Sequence, residues 1–128
     1  MKTFLLSWGL VVLSALFDSY AAFIVKSQFN LLGKIEYSSL SSVLSYLSKF
    51  IKNPLLITAV ITFIVAPVFW FFSLNRLDLS IAYPVLISFH LLFIIILSVF
   101  FLGENMTWFK IIGTALVFTS LFFFYYDN

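Results

Sequence analysis

The sequence predicts an all-α membrane protein with four transmembrane helices and a short amphipathic helix in the first connection. Hydrophobic residues make up 63% of the 128 and charged residues only 9%, a balance far from that of water-soluble domains. The run between Ser80 and Leu102 carries no formal charge. At about 1.5 Å per residue it is long enough to cross a hydrocarbon core of roughly 30 Å. Three more apolar runs, from about 4 to 25, 54 to 74 and 107 to 126, have similar length, so residues 1–128 read as one membrane domain.

Composition also excludes several functions. With no cysteine there is neither disulfide nor thiolate metal site, and a lone His90 without carboxylates near it in sequence is no zinc motif, so no metal or cofactor is expected. No nucleophile set or phosphate-binding loop is visible, and the chain is not expected to be an enzyme. A net charge of +2 with scattered lysines gives no surface for nucleic acid. Lys2 followed by an apolar run has the outline of a secretory leader. The run continues from Phe4 past Val25 without a small-residue cleavage site, and the segment is expected to remain as a helix.

The first helix, about Phe4 to Val25, is expected to end at Lys26. Ser7, Val11, Ser14, Asp18, Ala21, Ala22 and Val25 share a stripe of small residues that lets another helix approach closely, and an acid interrupts it. An Asp at membrane depth costs roughly 2.5–3.5 kcal/mol on insertion scales, so it faces a cavity or a partner. Two readings stand for Asp18: a carboxyl hydrogen-bonded to serines and tyrosines that only joins helices, or a site that holds either a proton or a cation.

Residues 27–53 are polar by comparison and include Gly33, Lys34, Glu36, Lys49 and Lys52. Within them, Leu40, Val43, Leu44, Leu47, Phe50 and Ile51 recur at helical spacing opposite serines and Lys49, predicting a short amphipathic helix over 39–51. It either lies on the membrane surface or simply packs on the bundle.

Asn53-Pro54 opens the second membrane helix, 54–74, where proline is tolerated, while Pro67 in its interior removes a ladder bond and predicts a kink near Phe63. Trp70 near its end is an interfacial anchor or a binding-site aromatic. The third helix, 80–102, is capped by Asp78 or Ser80, with Pro84 near its first turn and Gly103 as its stop. On it Tyr83, Ile87, His90 and Ile94 share a face. Tyr83 is a packing residue or one that hydrogen-bonds Asp18 and offers its ring to a cation. His90 is a hydrogen-bonded structural histidine or a proton relay. Residues 104–107 are too few to let the fourth helix, 107–126, be anything but an antiparallel neighbour of the third. Gly113 and Ser120 lie on one of its faces, and Tyr125 and Tyr126 suit the membrane interface.

Ile-Ala-Tyr-Pro (81–84), Leu-Gly-Glu (102–104) and Lys-Ile-Ile-Gly (110–113) resemble the half-size, four-helix members of the drug/metabolite transporter superfamily, which takes in EamA-like transporters. Two branches are similar: the small multidrug resistance exporters and the subunits that flip aminoarabinose-phospho-undecaprenol. In the exporters a membrane-embedded Glu precedes the Lys at the end of helix one by eight residues; Asp18 and Lys26 keep that interval with Asp in place of Glu. The flippase subunits lack that acid, but the spacing from Trp70 to Tyr83 is similar to theirs. The resemblance implies that Tyr83 belongs to a substrate site and that Gly113 and Ser120 lie at a dimer contact. Where the exporters have a tryptophan and a glycine pair after the tyrosine, this chain has Leu86, Ser88 and His90.

Four spans put Lys2 and Arg76 on one side and Lys26, Lys34, Lys49, Lys52 and Lys110 on the other, which predicts both termini outside the cytoplasm of a bacterial inner membrane. Such a half-size chain needs a second one, a copy of itself or a sibling, to enclose a pathway between inverted repeats. The expected function is proton-coupled exchange of a small cationic or amphipathic compound at Asp18. The alternatives are a flippase subunit for a lipid-linked sugar, with Lys26 or Arg76 attracting the phosphate, and a membrane assembly subunit that transports nothing.

Overall fold

The computed structural model describes residues 2–34 and 37–126, excepting the side chains of Lys2 and Tyr125, and every regular element among them is helical. In order they are α1 (Lys2–Leu32), α2 (Leu40–Ile51), α3 (Pro54–Leu74), α4 (Leu79–Phe101) and α5 (Trp108–Tyr126). Of the residues read above, Glu36 and the side chains of Lys2 and Tyr125 lie outside the described ones.

The first helix does not stop at Lys26. Nothing in Lys26–Leu32 disfavours a helix, and the chain leaves it only at Gly33, whose φ of +82° suits a residue without a Cβ. At 31 residues, about 46 Å long, α1 exceeds a roughly 30 Å hydrocarbon core, so its ends protrude or the helix tilts.

Two prolines fall inside helices, and both helices stay continuous. Pro84 is the sixth residue of α4 rather than part of its first turn, because the N-cap is Asp78; the lost N–H therefore leaves a carbonyl, that of Ser80, within the helix without its ladder donor. Asp78 has capping backbone geometry but makes no side-chain bond to the helix. Gly103 ends α4 as expected, with φ +66° and the Glu104 amide donating to Ser98 O at 3.1 Å.

α1 is the centre of the bundle and packs against both α3 and α4. Against α3 the register is antiparallel: Gln28 meets Asn53, Ala21 and Ile24 cluster with Leu56 and Ala59, and Ser14 meets Ala66. Against α4 it is parallel, with Ser19 beside His90 and Phe23 against Phe101. Small side chains on α1, some of them outside the stripe read from the sequence, make this double contact feasible. Val11, Ser14, Ala15, Ser19 and Ala21 are all buried, and a larger side chain at any of them would push a neighbour away. α5 packs antiparallel on α4 and leaves most of its surface open.

Elsewhere the apolar side chains point outward, from Phe4 and Leu5 on α1 to Phe109 and Phe122 on α5. Such a surface is that of a protein solvated by lipid. Three helices are long and apolar enough to cross a membrane: Thr3–Leu32, Pro54–Leu74 and Leu79–Phe101. α5, Trp108–Tyr126, is apolar as well, and its Trp108–Phe124 stretch is about 25 Å long.

Candidate transport site

Beside Asp18 the three central helices part enough to leave a cavity of about 360 Å³. α1 contributes Ser14 and Asp18, α3 Ala66, Pro67 and Trp70, and α4 Tyr83, Leu86, Ile87 and His90. The four side chains read from the sequence as binding residues, Asp18, Trp70, Tyr83 and His90, are thus brought together from three helices. Its walls are mainly apolar, with few polar groups to bind and orient a guest.

The partner of Asp18 is His90, not Tyr83. His90 Nδ1 stands 3.0 Å from Asp18 Oδ2, within hydrogen-bond range. Both side chains remain partly open to the cavity, with 41% of the Asp18 side chain and 33% of the His90 side chain exposed, so a guest reaches them without unpacking the bundle. The Tyr83 hydroxyl has no hydrogen-bond partner among the described residues. Its ring centroid is 6.1 Å from that of Trp70, at 57° between planes, and the two form an aromatic corner at the same cavity.

Serines hold the helices at this level. Ser14 Oγ donates to Ala66 O at 2.8 Å, tying α1 to the turn that contains Pro67. Ser19 Oγ lies 2.7 Å from Ala15 O and 3.3 Å from His90 O, so it satisfies its proton within α1 while touching the backbone of the paired histidine. Neither role was read from the sequence, where Ser14 counted only as a small residue and Ser19 was passed over. The usable signal was their place, one turn before Asp18 and directly after it.

Asp18 also lines a second cavity, of about 340 Å³, between α1 and α3, whose other walls are Ala21, Ala22, Val25, Ala59, Val60 and Phe63. Lys26 and Arg76 line neither. Lys26 borders a smaller cavity with Glu104, and Arg76 is exposed in the connection between α3 and α4. Gly113 and Ser120 are on α5, away from Asp18; a Cβ added at Gly113 would meet nothing within 4 Å. Among the described residues no three acidic, histidine or cysteine side chains cluster closely enough to bind a metal.

Comparison with known proteins adds one finding: residues 3–126 match the EamA-like transporter family, nearly the whole chain. No curated protein and no solved structure matches it.

Proposed function

The chain belongs to the EamA-like transporter family, so it is a drug/metabolite-type membrane transporter, and from that premise we propose that it exchanges protons for a small cationic or amphipathic compound at the Asp18–His90 pair. The 3.0 Å contact between that carboxylate and imidazole, in a cavity also lined by Trp70 and Tyr83, is the observation that carries this reading.

A site shielded by lipid favours states of zero net charge, because isolated charge at low dielectric is strongly disfavoured. Two states of the pair meet that condition. In one, His90 holds an additional proton and its imidazolium neutralises the Asp18 carboxylate. In the other, a guest cation lies against the carboxylate, His90 is neutral, and the displaced proton has left the imidazole for water. Charge is conserved, and cation and proton cannot both stay. The faces of Trp70 and Tyr83 add cation–π attraction for the guest. Alternating access comes from rocking helices around this fixed site, with a second half-size chain closing the pathway. The flippase reading has less support, since neither Lys26 nor Arg76 stands at the cavity to meet a phosphate.

Proton release from weakly buffered, detergent-purified protein, titrated with organic cations and guanidinium compounds, tests the exchange. About one proton released per cation bound is expected, and none in Asp18→Asn. Binding that releases no proton, or release that persists in the variant, would overturn it. Binding of a short-chain polyprenyl-phosphate sugar without proton release would move the reading to a flippase subunit.

A further inference from the structure

Helix α2 has three faces rather than two. At 100° per residue, Val43, Tyr46 and Phe50 lie together, Leu40, Leu44, Leu47 and Ile51 form the next ridge, and Ser41, Ser45, Ser48 and Lys49 make the third face. The first face docks on the bundle. The Phe29 ring of α1 lies 6.2 Å from Tyr46 and 5.5 Å from Phe50 between centroids, and the Tyr46 hydroxyl donates to Gly33 O at 2.9 Å. Among the described residues the ridge is left largely uncovered: Leu40, Leu44, Leu47 and Ile51 are 77%, 57%, 44% and 72% exposed.

Its place limits what covers it. α2 is fastened to the end of α1 and stops two residues short of Pro54, where α3 begins, so the ridge sits at the ends of two apolar spans. The connection is basic there. Lys34, Lys49 and Lys52 stand against a single acid, Glu36, and α2 itself contains no acid. Lys49 lies on the helix face away from the ridge, so with the ridge among acyl chains it is left at the level of the headgroups.

We propose that the α2 ridge is a docking surface for an acidic lipid leaflet, with Leu40, Leu44, Leu47 and Ile51 among the acyl chains and Lys49 and Lys52 among anionic headgroups. Through Phe29 and Gly33 the docked helix braces the part of α1 beyond Lys26. This inference is independent of what the transport site carries.

Because the chain has no cysteine, single fluorophores are attached to the full-length protein through Leu44→Cys on the ridge and Ser45→Cys on the serine face, both exposed positions. The variants are reconstituted in phosphatidylcholine vesicles with and without phosphatidylglycerol. The Leu44→Cys label should be quenched several-fold more by spin-labelled lipid than by aqueous iodide, and the Ser45→Cys label the reverse. Phosphatidylglycerol should deepen the Leu44→Cys label, and Lys49→Gln with Lys52→Gln should remove most of that response. Equal access of iodide to both labels would overturn the proposal. So would protection that follows the protein-to-lipid ratio instead of phosphatidylglycerol, which would mark a contact between copies.

Discussion

Asp18 and His90 are 72 positions apart in the chain and 3.0 Å apart in space, and their separation is set by backbone on both sides. Ser19, next to the acid, reaches the His90 carbonyl, and Ser14, one turn earlier, is bonded to α3. Replacing the histidine should therefore separate its chemistry from its packing. His90→Gln keeps a donor for the carboxylate but holds no exchangeable charge, so cations should still bind while proton release is lost. Calorimetry in two buffers of different ionisation enthalpy would read this directly. Because both side chains are partly exposed, thermal stability should move by less than about 1 kcal/mol. If release survives in His90→Gln, the proton resides on Asp18 alone. The aromatic corner is a separate matter: Trp70→Ala should weaken cation binding roughly 5- to 30-fold, the equivalent of about 1–2 kcal/mol, and Trp70→Phe should recover part of it.

At the level of helices, α1 owes its central place to small side chains, and overfilling one of them tests that account. Ala15 is fully buried, and Ala15→Leu should destabilise the bundle by about 1–3 kcal/mol, seen as a lower unfolding temperature in detergent. Ala115→Leu on the open face of α5 should leave that temperature unchanged. Part of this contact face was legible, because Ser and Ala at helical spacing have few other uses in a membrane helix: Ser7, Val11, Ser14 and Ala21 of the stripe are buried, but Ala22 is exposed, and the buried Ala15 and Ser19 were not counted in it. Also legible were α2 and the stop at Gly103, both written in local chemistry. What escaped was non-local. The reach of α1 beyond Lys26 was missed because a lysine marks where hydrocarbon ends, not where a helix ends. The pairing of Asp18 with His90 was not read, because the parallel register of α1 on α4 that brings them together depends on how whole helices pack.

For the whole molecule the open question is how α5 and the charged connections sit in the membrane. Gly113 faces open space, so Gly113→Leu should leave the single chain as stable as before. If α5 is where two half-size chains pair, the same change should abolish intermembrane-helix cross-linking between chains, whereas an unaffected cross-link would move the pairing face elsewhere. We propose the orientation from charge. Lys26, Lys34, Lys49, Lys52 and Lys110 lie toward the α1–α3 and α4–α5 connections, against Lys2 and Arg76 on the other side, and lysine-rich connections are retained in the cytoplasm. In cells with an intact cytoplasmic membrane, an impermeant maleimide should therefore label Asn75→Cys and spare Ser38→Cys until the membrane is opened. A C-terminal fusion reporting from outside would establish that α5, the shortest of the apolar helices after α2, does cross. The reverse labelling pattern would refute the orientation. Equal labelling of both positions would mean that the chain inserts both ways, and two copies in opposite senses would then suffice to build the inverted pair without a sibling chain.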